Sequence, residues 1–252
     1  MICRDEVVVL KTYDFRETSK IALFYSRNFG KISGLFKGIR KEPKKFASNL
    51  DFLSINEVVF YKKLKSELHL VSQCDQKKVF ENIKKDLSKF SIASFCAELI
   101  SAVSAVEDSN THLYSLLVNF LNILNEHNHV GDKYIYNFIL RVLNLSGFKP
   151  HLDDCIVCNS PIQNNAYFSH SFGGLLCPVC CNKDSNREHI SKGTISSILY
   201  FQKTSWPQSL RLNIFPQVKR QMRDIIFTFL NFHLEKKFNS IPILNELLDH
   251  CS

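Results

Sequence analysis

No apolar run in this 252-residue sequence approaches the roughly 18 residues needed to cross a bilayer; the one near Ile225–Leu230 is far shorter. The opening MICRDEVVVL puts charges around a four-residue apolar stretch. It has no long apolar core and no small-residue cleavage site, so no secretory signal is read and the expectation is a soluble, cytoplasmic protein. GxxxxGK[ST], GxSxG and HExxH are all missing, which removes support for nucleotide hydrolysis, for a serine nucleophile on a strand–helix elbow and for a zinc protease helix. His151 has Asp153 and Asp154 nearby but no nucleophile beside them, and the chain is not expected to be an enzyme. There is no internal repeat at a solenoid period and no low-complexity tract.

What is present is ordinary for a globular protein: 45% apolar and 22% charged residues, enough chain for one large domain or two to three small ones. The charge is not evenly spread. Of 32 Lys/Arg and 24 Asp/Glu, residues 1–80 hold 16 and 9, so nearly all of the net +8 lies in the first third. A basic field confined to one module attracts a polyanion and speeds encounter with it; solubility alone is the plainer reading.

The organisation follows from periodicity. Val7–Leu10, Ile21–Tyr25, Lys31–Phe36, Leu53–Phe60 and Glu67–Ser72 are β-branched, aromatic or alternating, and charged or glycine-containing segments separate them. Five short strands in about 70 residues suit a small Greek-key barrel of the OB type. From about Asp75 the period becomes helical, through Phe80, Ile83, Leu87 and Phe90, then Phe95, Leu99, Ala102 and Val106, then Leu113 to Leu124, then Tyr134 to Leu145. Asp108, Ser109 and Asn110 read as loop or cap residues. Helical patterning returns at Ile195–Phe201, Val218–Phe232 and Ile241–Leu248. The expected architecture is α+β and multidomain: an OB-type barrel at 1–76, a helical domain in two parts at 77–150 and 191–252, and an inserted cysteine-rich module at 151–190.

That module carries Cys155-x2-Cys158 and Cys177-x2-Cys180, the spacing of a closed tetrahedral zinc site. Each pair presents two thiolates to one face of an ion, and the metal supplies stability that about 30 residues cannot draw from so small a core. A disulfide needs an oxidising compartment, and a redox pair would want a thioredoxin-like βαβ unit. Cys181 could replace Cys180; two CxxC knuckles are the simpler assignment. His170 and His189 are near enough to compete, but four thiolates suffice. A full thiolate set leaves no open position for catalysis. Cys3, Cys74, Cys96 and Cys251 have no partner spacing and read as plain thiols.

Residues 30–46, GKISGLFKGIRKEPKKF, set Lys31, Lys37, Arg40, Lys41, Lys44 and Lys45 against one acid, Glu42. Such cations release counterions from a phosphate chain. Phe29, Phe36 and Phe46 are interleaved; they either stack on bases or fill the barrel core, and core is the preferred reading. A solvated edge guarded by lysines is the competing reading of the charges. Lys219, Arg220 and Arg223 line one helix face as a second nucleic-acid contact or as a solvated face, the latter preferred.

The chain resembles the bacterial RecO family of DNA repair and recombination proteins. The segments that carry the likeness are Val9-Leu-Lys-Thr-Tyr-Asp-Phe-Arg-Glu-Thr-Ser-Lys20, Gly30-Lys-Ile-Ser-Gly34, Lys37-Gly-Ile-Arg-Lys41, Glu67-Leu-His, Phe138-Ile-Leu-Arg-Val-Leu, Gly147-Phe-Lys-Pro-His-Leu-Asp-Asp-Cys155-Ile-Val-Cys158 and Phe168-Ser-His-Ser-Phe-Gly-Gly-Leu-Leu-Cys177-Pro-Val-Cys180. Asn159 stands where the family often has glycine. The resemblance implies an OB domain, a helical domain and a zinc module. It implies binding of single- and double-stranded DNA, annealing of complementary strands, and help in loading RecA onto DNA coated with single-strand-binding protein. The partners it implies are RecR, single-strand-binding protein through its C-terminal tail, and RecF. A zinc-containing OB-fold factor that binds RNA is the alternative function.

Overall fold

The computed structural model describes every residue except Pro43, Lys45, Leu64, Lys65, His129, Gln163, Asn164, Lys237, Cys251 and Ser252, and the side chains of Pro207, Asn245 and 247–250. The Lys45 and Cys251 assignments therefore lie outside the described residues. The chain clusters into two compact units: one comprises Met1–Val130 and Ser240–Leu244, the other Gly131–Asn239 and Asn245–Ser252.

The first unit opens with five strands, β1 (Ile2–Phe15), β2 (Ser19–Ser26), β3 (Gly30–Phe36), β4 (Ile55–Tyr61) and β5 (Leu68–Lys78). They close into a barrel in the order β1-β2-β3-β5-β4, the five-stranded Greek-key arrangement of an OB fold. β1 pairs with β4 through Ile2–Val8 and with β2 through Val7–Phe15. A register shift between Val9 and Lys11 lets one long strand serve both neighbours. Beyond it, Lys11–Asp14 are exposed and continue the β1–β2 ribbon outward. Inward residues alternate as a half-buried sheet requires: Val7, Val9, Ala22, Phe24, Ile32, Phe36, Val58, Phe60 and Val71 share one core.

Three helices follow: α1 (Glu81–Lys85), α2 (Leu87–Val103) and α3 (Thr111–Glu126). The periodicity from Phe80 to Phe90 runs across a break at Asp86, which is extended and caps α2 by accepting from the Lys89 N–H at 3.1 Å. An Asp at this position satisfies a helix-end donor better than it continues a helix. Asn110 caps α3 in the same way, accepting from the Leu113 N–H at 3.0 Å. Val106 is not helical. It forms a parallel bridge with Lys31, so the 104–110 loop lies along β3. Gly30, at φ +65, makes this possible: a β-carbon there would sit 1.8 Å from the Asp108 carbonyl oxygen.

The second unit holds α4 (Asp132–Leu145), a three-stranded sheet of β6 (Ala166–Ser169), β7 (Gly174–Leu176) and β8 (Glu188–Ile190) in the order β7-β6-β8, then α5 (Lys192–Lys203), α6 (Trp206–Ser209) and α7 (Pro216–Leu234). The cysteine-rich insertion thus interrupts a helical array in which α4, α5 and α7 pack on one another. A last helix, α8, spans Ile241–His250. Among the described residues no helix is long and apolar enough to cross a membrane.

Candidate metal centre and nucleic-acid interface

The Cys155–Cys158 knuckle is tied by the Asn159 N–H to the Cys155 carbonyl at 2.8 Å and by the Ile156 N–H to the Leu175 carbonyl on β7 at 2.8 Å. Asn159 has φ +57. Asparagine tolerates that left-handed conformation better than most residues with a β-carbon. The second knuckle turns through the Cys180 N–H to the Cys177 carbonyl at 3.0 Å. The Cys177 N–H reaches the Cys155 Sγ at 3.4 Å and joins the knuckles.

The Sγ atoms of Cys155, Cys158, Cys177 and Cys180 all lie within 4.8 Å of one another, with Cys158 and Cys177 3.7 Å apart. Four thiolates around a tetrahedral ion with bonds of about 2.3 Å stand roughly 3.8 Å from each other, so the donor set fits a metal ion. Cys181 turns away: its thiol donates to the Pro178 carbonyl at 3.0 Å. His170 contacts Glu188 at 2.6 Å and His189 packs edge-on against Tyr167.

The thiols titrate unequally. Burial pushes Cys155 up, but backbone N–H groups of Cys177, Cys158 and Val157 outweigh it and bring the thiol down to about 6. The Cys180 N–H lowers Cys177 against a smaller burial effect. Cys180 is pushed up to about 12 by burial and by the neighbouring sulfurs. A divalent cation inverts that last effect, because a coordinated thiol loses its proton outright.

The cationic segment lies more than 100 residues earlier, on the barrel. Ile39 is buried in the core, which turns Lys37, Arg40 and Lys41 outward; Lys44 is exposed as well. The turn is clipped to the β1–β2 turn by the Arg40 N–H to the Thr18 carbonyl at 2.9 Å. Arg40 Nη1 also donates to the Arg16 carbonyl at 3.2 Å and lies 3.6 Å from Asp14. Arg16, Glu17, Thr18 and Arg40 line an open cleft of about 780 Å³. The edge is mixed, with Asp14, Glu17 and Glu42 among Arg16, Lys37, Arg40, Lys41 and Lys44, and cations in excess. Arg16 is a residue that the sequence reading missed; its signal is a cation in the polar break between two strands.

Lys31 stands apart from this group. Its ammonium donates to the Ser101 carbonyl at 2.7 Å, near the end of α2. Phe36 and Phe46 are buried and meet edge-on at 5.0 Å, and Phe29 packs on Phe60 at 5.5 Å. The aromatic rings of the segment are core, and the exposed ones on the barrel are Tyr13 and Tyr61. In the second unit, Lys219, Arg220 and Arg223 line a pocket of about 370 Å³ with Asp132, Tyr136, Ile214 and Pro216. Lys219 pairs with the buried Asp132 at 2.7 Å.

The chain thus combines a closed barrel of the OB type carrying a cationic rim with helices and a four-cysteine cluster of metal-binding geometry. Comparison with known proteins goes further. Residues 1–80 match the model described as Recombination protein O N terminal, and residues 84–242 match Recombination protein O C terminal. The chain is 30% identical over 247 residues to the DNA repair protein RecO of Caldanaerobacter subterraneus subsp. tengcongensis, covering 98% of each. It is equally similar to that of Thermoanaerobacter sp., and 29% identical over 248 residues to that of Syntrophus aciditrophicus, covering 97% of this chain and 95% of the relative. The protein belongs to the RecO family of DNA repair proteins.

The metal module is held to α7 by rings. Phe229 lies 4.2 Å from His233 and 5.9 Å from Phe168 of β6. Burial chiefly, and the charge of His170, hold His233 below the usual imidazole range, against a favourable contact with the His170 backbone. A base whose pKa is depressed on folding contributes stability above its unfolded value of about 6.5 and loses it as pH falls through the folded value. Chemical denaturation should therefore show stability dropping below about pH 6.5, with a shallower drop in His233→Phe.

Proposed function

We propose that the protein is a non-enzymatic, DNA-binding mediator of recombinational repair. It anneals complementary strands and assists loading of a recombinase onto single-stranded DNA coated with single-strand-binding protein. The observation that carries this reading is the match of both RecO models along almost the whole chain. The barrel supports it physically. Cations around the β1–β2 turn neutralise phosphates without reading base edges, and the same screening lowers the repulsion between two strands. RecR, RecF and RecA are partners on the strength of family membership, as is a cytoplasmic site of action.

The pocket at Lys219, Arg220 and Arg223 suits a short acidic peptide better than a continuous phosphate backbone, because it is concave and partly apolar. We place the tail of single-strand-binding protein there.

The metal is proposed to be zinc, enclosed by Cys155, Cys158, Cys177 and Cys180. A soft, four-sulfur tetrahedral site suits zinc, which when bound would link the two knuckles and remove the protons of the four thiols. Metal analysis should return about one zinc per chain. Cys155→Ser or Cys177→Ser should lose the metal and lower solubility or stability, whereas a metal-free module that stays folded would contradict a structural role.

DNA binding follows from charge. Reversing Lys37, Arg40 and Lys41 to Glu should weaken single-strand binding across all sequences and flatten its salt dependence by about 0.7 logarithmic units per lost phosphate contact. Filter binding across a salt series measures both effects, and matched DNA and RNA oligomers show which polymer is preferred. Absent or salt-insensitive binding rules the barrel out as the DNA surface.

A further inference from the structure

The β4–β5 connection opens with two lysines, Lys62 and Lys63. OB barrels commonly grip oligonucleotides with this loop as well as with the β1–β2 loop, yet the cationic rim described above uses only the latter. The loop also has a stacking surface beside it. Tyr61 ends β4 and is 44% exposed. Its backbone is held by Ile2 of β1 and Leu70 of β5, so the ring stands on a rigid sheet. Lys63 next to it is exposed.

Lys62 is treated differently. Its Nζ lies 2.7 Å from Glu107 Oε2, on the 104–110 loop between α2 and α3. The other carboxylate oxygen is 3.0 Å from Nε2 of the buried His69. His69 Nδ1 accepts from the Lys63 backbone N–H at 3.4 Å, which leaves the ring proton on Nε2, facing Glu107. The Glu107 N–H is itself fixed to the Lys31 carbonyl of β3 at 2.9 Å. Glu107 has φ +57, a conformation that a side chain disfavours and that persists only where the surroundings impose it. A strained residue on a strapped loop thus presents a carboxylate to one lysine of the barrel's second loop. The Lys62 ammonium in turn holds the Glu107 carboxyl below its usual range.

We propose that the β4–β5 loop is a second contact for single-stranded DNA, with Tyr61 stacking on a base and Lys63 meeting a phosphate, and that Glu107 withholds Lys62 from the strand. The helical part of the first unit then sets how tightly the barrel grips. This rests on the barrel being the DNA surface. It adds a base-stacking contact that the buried phenylalanines cannot supply, and a restraint on affinity suited to a protein that must hand strands on.

Fluorescence anisotropy of a labelled thymidine oligomer, longer than the roughly 4–16 nucleotides covered by one OB fold, tests the proposal with the full chain. Tyr61→Ala should weaken binding at least about fivefold, and Tyr61→Phe should restore it, since stacking needs the ring and not the hydroxyl. Lys63→Ala should flatten the salt slope by about 0.7, and Glu107→Gln should tighten binding and steepen the slope by about 0.7. Adding Lys62→Met to Glu107→Gln should abolish that gain, whereas Lys62→Met alone should leave affinity unchanged. Equal binding by Tyr61→Ala, Lys63→Ala and the parent overturns the second contact. A Glu107→Gln protein with unchanged melting and no gain overturns the masking, as does a loss on Lys62→Met alone, which remains readable if Glu107→Gln fails to fold. Lys37→Glu with Arg40→Glu separates the two levels. If that pair weakens binding while the loop variants do not, the barrel reading stands and this proposal falls; if it does not, both fall.

Discussion

The barrel closes across a short seam. Among the described residues, Ser33, Gly34 and Leu35 of β3 pair with Leu68, His69 and Leu70 of β5, in parallel. Gly34 is there because nothing larger fits: a β-carbon would lie 2.7 Å from Val71 Cγ2 and 2.9 Å from a ring carbon of Phe24. Three residue pairs give few hydrogen bonds, so the interior carries the closure, with Phe24, Phe36 and Phe60 almost wholly buried beneath it. Every functional element of the first unit is anchored to strands that this seam holds in register. The β1–β2 turn and the Lys37–Lys41 turn project from one side of β3, and the β4–β5 loop leads into β5.

Electrostatics on this frame is managed residue by residue. Arg4 and Lys77 share Glu57, Lys84 meets Asp51, and Lys31 is directed into a helix end. Exposed pairs of this kind add little stability, but each removes a cation from the pool that a polyanion would meet. The number of cations in the first third of the chain therefore overstates how many are free of a protein partner.

The strands and the metal knuckles were legible in the sequence because their determinants are local. Alternation reports one buried face, and a CxxC pair sets its own turn. The helical boundaries at Asp86 and Val103 were less so, since periodicity continues through both. A capping aspartate ends one run, and pairing of Val106 with Lys31 ends the other. That pairing joins residues 75 positions apart, and no short window contains it. The same holds for Lys31, whose charge looks free until α2 is in place, and for Arg16, whose importance comes from a neighbour 24 residues later. Cys181 shows the reverse case: sequence left it as a rival to Cys180, and one thiol hydrogen bond to Pro178 separates them.

Ser240 donates through its N–H and hydroxyl to Glu98 at 3.1 and 2.6 Å, and Leu244 is fully buried. The polypeptide thus leaves the first unit after Val130, re-enters it over Ser240–Leu244 and passes to the second again from Asn245, so neither unit is one continuous segment. A proteolytic nick after Val130 would leave the N-terminal fragment short of Ser240–Leu244, which stays on the C-terminal fragment. Truncation before Ser240 would damage the barrel-containing half, although the barrel itself ends at Lys78.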